Sequence, residues 1–285
     1  MIGTKLNKTM PELPEVENVR RSLEPLIKGK VVSKIEVRYD KIIDGDTVRF
    51  CQVLKDKKIL GLSRYGKYLL FRFSNGWTVV SHLRMEGHFR LVDKSKSWSK
   101  STHVLWKFTD ESVLAYLDVR KFGRMQLVKT GTEFETTGLQ KLGPEPGSSS
   151  FIFSYFENEL SRHRRNIKST LLAQSVVCGL GNIYVDEILW RSRIHPLSCA
   201  KSLPKKQIRT LWQTIDAIIP LAIQKGGTTI RSYTDANGNA GQFQNFLAVY
   251  GRSGQKCRRC GTVLVKIKVQ GRGTTFCPHC QEVFR

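Results

Sequence analysis

The sequence predicts an α+β fold, in which a β-rich N-terminal half is followed by a helical segment and a small C-terminal hairpin. Three observations predict it. Short runs of β-branched and aromatic residues, separated by turn signals, fill residues 30–130. Apolar residues three and four apart recur between residues 151 and 226, which indicates helices. Two Cys-x-x-Cys pairs then close the printed sequence.

The N-terminal half is predicted to begin with one short helix. Val16, Val19, Leu23 and Leu26 have helical spacing, and Gly29 is a natural end for that helix. Several short strands in series are typical of a sandwich or a barrel. The clearest of these strands are residues 31–37, 68–73, 78–80 and 113–117.

A change in composition separates the two halves. Residues 142–150 read Leu-Gly-Pro-Glu-Pro-Gly-Ser-Ser-Ser, which predicts an interdomain linker. Beyond it, two apolar stripes flank the turn at residues 179–182, so we predict a helix-turn-helix-like unit that presents backbone amides to phosphate. A further helix is predicted over residues 204–224. The Gly- and Asn-rich residues 228–250 are predicted to form a mobile loop.

The charge points to a polyanionic partner. Lys and Arg number 47 against 24 Asp and Glu, a formal net charge of +23, and the basic residues are spread along the whole sequence. This favours nucleic acid over an acidic membrane surface. We find no apolar run that could span a membrane and no secretory signal in residues 1–9. The scattered Cys51, Cys178 and Cys199 favour a reducing, intracellular compartment over a disulfide framework.

The C-terminal cysteines have metal-ligand spacing. Two knuckles, separated by sixteen residues, would each supply two thiolates to one tetrahedral Zn²⁺. The intervening residues 263–269 are β-like, so the knuckles are predicted to bracket a hairpin. A closed site with four thiolates leaves no position for catalysis, and the metal is therefore predicted to be structural. The predicted ligands are Cys257, Cys260, Cys277 and Cys280.

Residues 10–17, Met-Pro-Glu-Leu-Pro-Glu-Val-Glu, offer a nucleophile. If translation starts at Met10, or processing ends there, and the methionine is trimmed, Pro11 carries a free secondary amine. Such an amine attacks a sugar aldehyde carbon to give a cationic iminium, which acts as an electron sink. The alternative is an internal proline that starts a helix, followed by acidic residues in the first turn.

Taken together, these features resemble the formamidopyrimidine-DNA glycosylases, bacterial base-excision enzymes that remove oxidised purines. The resemblance spans residues 10–285. Besides the zinc hairpin it is carried by PELPEVE (11–17), GKYL (66–69), HLRMEG (82–87), DVRKFG (118–123), LGPEP (142–146), GLGNIY (179–184) and GRG (271–273). It implies an N-terminal β-sandwich with an N-terminal helix, a helix-two-turn-helix domain and a zinc-finger hairpin, with DNA in the cleft between them. The expected boundaries are 1–10 for an extension or mis-assigned start, 11–142 for the catalytic sandwich, 143–150 for the linker, 151–246 for the helical domain and 247–285 for the zinc finger.

The resemblance also implies roles for individual residues. Pro11 would attack C1′ of the damaged nucleoside while Glu12 acts as general acid toward the sugar ring oxygen, and β- and δ-elimination would follow. Lys67 would assist the first elimination and Arg272 the second. Met85, Arg120 and Phe122 match the residues that fill the hole left by the extruded nucleotide. Further DNA contacts are expected from Ser101, His103, Arg164, Lys168, Asn182 and Arg272. Asn182 could instead be a plain helix N-cap.

The resemblance therefore implies a bifunctional glycosylase and AP lyase acting on 8-oxoguanine and formamidopyrimidines in duplex DNA. It would be a monomer in the bacterial cytoplasm, associated with the nucleoid, with Zn²⁺ as its cofactor. The sequence departs from the family in residues 1–9 and in Asp118-Val119-Arg120, where Asp-Pro-Arg is usual. A blocked Pro11 would leave a catalytically silent DNA-binding protein. Endonuclease VIII, which prefers oxidised pyrimidines, usually begins Pro-Glu-Gly-Pro rather than the Pro-Glu-Leu-Pro found here.

Overall fold

The computed structural model describes residues 10–92, 97–228 and 241–285. Two compact units divide the chain. Of the described residues, the first contains Met10, Pro11, those within Glu15–Gln140, Thr228 and Gly241, and the second contains Glu12–Pro14, Lys141–Gly227 and Gln242–Arg285. The second unit thus includes the predicted linker and zinc finger, and the predicted helical domain except Thr228 and Gly241, which belong to the first unit. The predicted N-terminal extension (1–9) and most of the predicted mobile loop (229–240) lie outside the described residues.

The first unit is a two-sheet β-sandwich. One sheet has the strand order β1-β7-β8-β6 and the other the order β2-β9-β5-β4-β3. All neighbouring strands pair antiparallel except β2 and β9, which are parallel. The strands are β1 (Val32–Val37), β2 (Ile43–Asp44), β3 (Ile59–Tyr65), β4 (Tyr68–Phe73), β5 (Trp77–His82), β6 (His88–Val92), β7 (Thr102–Phe108), β8 (Val113–Leu117) and β9 (Arg124–Lys129).

The core of this unit lies between the two sheets. Trp106 on β7 is fully buried, and its ring lies 5.1 Å from that of Phe71 on β4 and 5.7 Å from that of Phe73. Consecutive residues are buried along β5, β7 and β8, so these strands are covered on both faces and not only on the face toward the other sheet. Of the two architectures left open by the strand pattern, the structure is therefore the sandwich.

Helices flank the sandwich. The helix α1 (Leu13–Ile27) buries Val16, Val19 and Leu23, as its spacing predicts. The helix α2 (Thr47–Leu54) was missed, because we expected strands throughout residues 30–130. Its sequence signal is Asp46, whose carboxylate accepts hydrogen bonds from the amides of Val48 and Arg49 and caps the helix. The short helix α3 (Glu133–Thr136) follows β9.

The second unit is helical, with a C-terminal hairpin. Its helices are α4 (Phe153–Ser161), α5 (Ile167–Leu172), α6 (Asn182–Arg191) and α7 (Lys205–Gln224), and its strands are β10 (Val265–Val269) and β11 (Arg272–Phe276). The predicted helix-turn-helix-like unit is confirmed in α5 and α6. The strands β10 and β11 pair antiparallel, as the β-like run between the cysteine knuckles predicts.

The helix α6 is unusual because every residue from Ile183 to Trp190 is buried, including Asp186 and Glu187. A helix buried on all sides belongs to a core, and its polar side chains need partners there. Among residues 10–92, 97–228 and 241–285, no helix has the length and apolar composition that a bilayer span requires.

Candidate active site and nucleic-acid interface

The Glu12 carboxylate is held by backbone amides at the start of α6. Its oxygens accept hydrogen bonds from Gly181 N at 2.5 Å, Ile183 N at 2.8 Å and Tyr184 N at 3.3 Å. Glu12 is only 1 % exposed. The first amides of a helix have no partner within the helix, and its dipole favours negative charge there. Main-chain amides therefore hold the orientation of this carboxylate.

Only glycine fits at position 181 without displacing Glu12. A Cβ atom there would lie 2.4 Å from Glu12 Cδ and 2.5 Å from its Oε1. Gly181 has φ −131° and ψ −159°, an extended conformation that other residues can adopt. The glycine is therefore required by close approach and not by backbone conformation.

Pro11 directly precedes this fixed carboxylate. Its side chain is buried, and α1 begins two residues later at Leu13. The Leu13 amide donates to Gly179 O at 2.9 Å. In the printed sequence Met10 precedes Pro11, so the proline nitrogen is an amide unless the chain is cut between them.

Lys67 lies in the first unit at the turn between β3 and β4, and it is 4 % exposed. Burial, together with the charges of Arg84 and Lys67, lowers the pKa of His82 to about 3. The Arg84 amide donates to His82 Nδ1 at 2.9 Å, which assigns the proton of the neutral ring to Nε2. The His82 ring packs edge-on against Tyr68 at 4.5 Å. His82 was not among the site residues predicted from the sequence, where its signal was its place in the HLRMEG motif.

The three predicted hole-filling residues lie together in the first unit. The Arg120 guanidinium lies 4.6 Å from the centre of the Phe122 ring, and its Nη1 lies 2.9 Å from Met85 Sδ. Arg120 and Phe122 are exposed and Met85 is half-buried. The buried Asp118 carboxylate organises their loop by accepting hydrogen bonds from the amides of Arg120 at 3.0 Å and Gly123 at 2.8 Å. The loop thus presents an apolar and cationic group to solvent.

Ser101 and His103 lie beside the same loop. The Asp118 amide donates to Ser101 O at 2.9 Å, and His103 Nε2 lies 2.7 Å from Asp118 O. Ser101 is half-buried, but His103 is only 2 % exposed and packs near the Tyr39 ring. In this structure His103 supports the backbone of the loop at Asp118.

Lys168 does not lie where a phosphate contact requires. Its side chain is fully buried, and its Nζ lies 2.5 Å from Asp186 Oδ1. The other Asp186 oxygen accepts from the Thr275 amide at 3.0 Å, which connects α6 to β11. Burial lowers the pKa of Lys168 and raises that of Asp186 to about 6, each against the attraction of the opposite charge. The expected phosphate contact from Lys168 does not fit this placement, because its ammonium group is buried in an ion pair with Asp186.

Asn182 and Arg272 are connected through the hairpin. Asn182 is the first residue of α6, and Gly181 occupies the N-cap position. The interpretation of Asn182 as an N-cap is therefore wrong. Its Nδ2 donates to Gly273 O at 2.9 Å, next to Arg272, the exposed first residue of β11. Arg164 is also exposed, in the loop between α4 and α5.

The four predicted metal ligands form one cluster. Their sulfur atoms all lie within 4.8 Å of one another, with Cys257 to Cys280 at 4.0 Å and Cys260 to Cys277 at 3.5 Å. Zinc–sulfur bonds of about 2.3 Å in a tetrahedron require sulfur separations of about 3.8 Å. The cluster therefore fits one structural Zn²⁺, as predicted.

Comparison with known proteins agrees with this geometry. Three family models match: the formamidopyrimidine-DNA glycosylase N-terminal domain at residues 10–125, the formamidopyrimidine-DNA glycosylase H2TH domain at 142–234, and the zinc finger found in FPG and IleRS at 254–283. The formamidopyrimidine-DNA glycosylase of Lactobacillus johnsonii is 58% identical over 276 residues, which is 97% of this chain and 100% of that protein. The Ligilactobacillus salivarius protein of the same name is 52% identical over 96% of this chain and 99% of its own.

Solved structures with DNA also match. Lactococcus lactis Fpg in complex with DNA containing an abasic site has 43% identity and a TM-score of 0.90, covering 95% of this chain and 99% of that one. The same enzyme with DNA containing an oxidised pyrimidine also has 43% identity and a TM-score of 0.90, at 95% and 100% coverage. The chain therefore belongs to the formamidopyrimidine-DNA glycosylase family and is a base-excision repair glycosylase that acts on damaged DNA, in a family whose members typically also cleave abasic sites.

Proposed function

We propose that this enzyme excises 8-oxoguanine and formamidopyrimidines from duplex DNA through a covalent intermediate on Pro11, and then removes the sugar by β- and δ-elimination. The observation that carries the proposal is the Glu12 carboxylate, fixed by three amides of α6 immediately after Pro11. A nucleophile and an oriented acid on adjacent residues are the two groups that opening a nucleoside requires.

In the proposed reaction the Pro11 nitrogen forms a bond to C1′ and gives up its proton, while the bond from C1′ to the base breaks and the base leaves carrying a proton. Glu12 gives a proton to the ring oxygen as the sugar opens, and the three amides stabilise the carboxylate that remains. The product is an iminium between Pro11 and the open sugar. Its positive charge acidifies the C2′ hydrogens, so loss of a proton there expels the 3′ phosphate. A second elimination expels the 5′ phosphate and leaves a one-nucleotide gap.

Lys67 and Arg272 are proposed to assist the two eliminations. Lys67 is largely buried in the first unit, beside a histidine that its charge helps to keep neutral. Arg272 is exposed at the start of β11. A lysine ammonium or an arginine guanidinium stabilises the phosphate that leaves at each step.

The active form is proposed to begin at Pro11, either because translation starts at Met10 and the methionine is trimmed, or because residues 1–10 are removed by processing. The match to the family's N-terminal domain starts at residue 10. The Lactobacillus johnsonii relative aligns along its whole length with 276 residues, the number from Met10 to Arg285. An amide nitrogen is not nucleophilic, so the chemistry needs this processed terminus.

DNA binding is proposed to rest on two kinds of group. Arg164, Arg272 and Asn182 would contact phosphates, which position a duplex without reading its sequence. Met85, Arg120 and Phe122 would fill the space left by the extruded nucleotide, and Arg120 would donate hydrogen bonds to the unpaired cytosine. We further propose that the enzyme acts as a monomer in the cytoplasm, on the nucleoid.

Borohydride trapping tests the proposal. Reduction of the iminium should join protein that begins at Pro11 covalently to a duplex containing 8-oxoguanine or an abasic site. The matched control is the same chain with Met10 retained, verified by intact mass, which should bind the duplex without becoming crosslinked. Pro11→Gly should weaken or abolish the crosslink. Equal crosslinking by the chain that retains Met10 would refute Pro11 as the nucleophile.

Two alternatives are resolved by the same experiment. A catalytically silent DNA-binding protein would give no crosslink even with a verified Pro11 terminus. An enzyme of endonuclease VIII type would be trapped faster on oxidised pyrimidines than on 8-oxoguanine. Oxidised-pyrimidine duplexes are included as a second substrate because the Lactococcus lactis enzyme has been crystallised with oxidised-pyrimidine DNA.

A further inference from the structure

The C-terminal end of α6 packs against the cysteine cluster. Trp190, in its last turn, is 8 % exposed and packs in one buried cluster with residues that include Val249, Leu264 and Cys277. Its indole nitrogen Nε1 donates a hydrogen bond to Cys257 Sγ at 3.4 Å. A helix of the DNA-binding domain thus reaches a predicted zinc ligand directly.

Arg259, between two of the cysteines, holds Trp190 from the other side. Its guanidinium carbon lies 4.2 Å from the centre of the indole ring. Its Nη1 donates to Trp190 O at 3.1 Å, and the same carbonyl also accepts from the Arg193 amide at 3.2 Å. The Arg259 amide lies 3.5 Å from Cys257 Sγ as a second donor. The indole is therefore clamped between a ligand sulfur and a cation.

We propose that Trp190 is a positioning residue of the zinc site, whose N–H stabilises the Cys257 thiolate and slows loss of the metal. Four thiolates carry more negative charge than one Zn²⁺ neutralises, so each benefits from a hydrogen-bond donor. Groups that orient and polarise metal ligands typically change metal affinity 10–100-fold when removed. The Arg259 guanidinium holds the indole in the orientation that this bond needs.

The indole N–H, rather than the bulk of the ring, carries this role. A ring that only filled space would not need its nitrogen aimed at the sulfur of a metal ligand. Trp212 on α7 offers the comparison, since its Nε1 donates to Phe151 O at 2.9 Å, in the same unit but with no cysteine as acceptor. The two tryptophans have the same donor and differ in what accepts the hydrogen bond.

The helix α6 connects the metal cluster to the amides that hold Glu12. Ten residues of α6 span about 15 Å. The helix is buried along its length, with the amides that hold Glu12 at its N-terminus and the zinc-supporting indole in its last turn. A metal site loosened at Cys257 is therefore expected to loosen the position of α6 as well.

The test compares Trp190→Phe with Trp212→Phe in the whole zinc-loaded chain. Zinc transfer to a chromogenic chelator is timed, and we expect it to be about 10–100-fold faster in Trp190→Phe than in the parent, while Trp212→Phe stays unchanged. Cobalt replacing zinc gives a second readout. The thiolate-to-cobalt charge-transfer band should shift to lower energy only in Trp190→Phe, because a sulfur without its donor gives up an electron more readily.

A benzothienylalanine at position 190 separates the hydrogen bond from packing, since it keeps the shape of indole and replaces N–H with sulfur. It should release zinc as fast as Trp190→Phe, and it serves in its place if the phenylalanine variant does not fold. Arg259→Gln should also speed release, because the indole loses its clamp. The proposal is overturned if the benzothienylalanine protein keeps the parent's zinc release rate and cobalt spectrum.

Discussion

Replacement of Gly181 by alanine should disable the enzyme while leaving most of the fold intact. The new Cβ would lie 2.4 Å from Glu12 Cδ, whereas ordinary contacts begin near 3.4 Å. Either the carboxyl group or the start of α6 must therefore move by about 1 Å. A displacement of that size at a reacting group typically lowers the rate about 10²-fold. We expect a fall of this order in the rate of base excision.

The assay is single-turnover excision of 8-oxoguanine by protein whose terminus is verified as Pro11. Gly61→Ala is the matched control, because a Cβ there meets only Glu24 Oε1 at 3.4 Å and the backbone is not left-handed. It should excise at the parent rate. Affinity for a duplex with a stable abasic analogue should fall much less than the excision rate in Gly181→Ala, since only Asn182 among the proposed phosphate contacts neighbours the substituted position.

A double variant separates the proposed cause from a general loss of stability. If Gly181→Ala acts by displacing Glu12, then adding it to Glu12→Gln should slow excision little further, because both changes remove the same interaction. Multiplied rate losses in the double variant would refute this reasoning. An excision rate for Gly181→Ala close to that of the parent would refute it more directly.

The remaining predictions concern stability and salt. Lys168→Met should lower the free energy of unfolding, measured in urea, by about 3–5 kcal/mol, because the buried Asp186 loses its cation. The double variant Lys168→Met with Asp186→Leu should lose less stability than the sum of the two single variants. Additive losses would contradict a coupled pair. Burial, with nearby charges, lowers the pKa of His82 from 6.5 to about 3. Below pH 6.5 the unfolded chain binds a proton at His82 and the folded protein does not, so the free energy of unfolding falls by about 1.4 kcal/mol per pH unit from pH 6.5 toward pH 3. His82→Asn should flatten this dependence of unfolding free energy on pH, and an unchanged dependence would exclude His82 as its source. Duplex affinity should fall steeply with salt, and Arg164→Ala should reduce the slope of log K against log salt by about 0.9 if it neutralises one phosphate; an unchanged slope would remove Arg164 from the interface.

Local patterns predicted most of the fold. The strand predicted at residues 113–117 coincides with β8, and the helix predicted at 204–224 differs from α7 by one residue. These elements were predictable because the side-chain period follows directly from which face is buried. The helix α2 was missed because its eight residues are too short to show a clear period, although Asp46 marked its start.

Site features formed by residues close together in the sequence were predictable, and those formed by residues distant in the sequence were not. The cysteine spacing indicated the metal cluster, because each knuckle is formed by neighbouring residues. Lys168 was expected at the surface, since lysine is seldom fully buried without a partner. That partner, Asp186, lies on another helix, and nothing in either local pattern joins them. The donor from Trp190 to Cys257 was missed for the same reason.

The helix α6 explains why so much of the second unit depends on a few buried polar groups. Its first amides hold Glu12, Asp186 binds Lys168 and the hairpin, and Glu187 accepts hydrogen bonds from three successive amides starting at Ala248. Trp190 then reaches the metal cluster. Each bond joins α6 to a segment distant in sequence, and each involves a carboxylate or a ligand sulfur, whose burial is unfavourable unless its partners stay in place. These hydrogen bonds are therefore expected to be cooperative, so that loss of one weakens the others. This cooperativity gives a short helix the rigidity to hold an acid at one end and a metal site at the other.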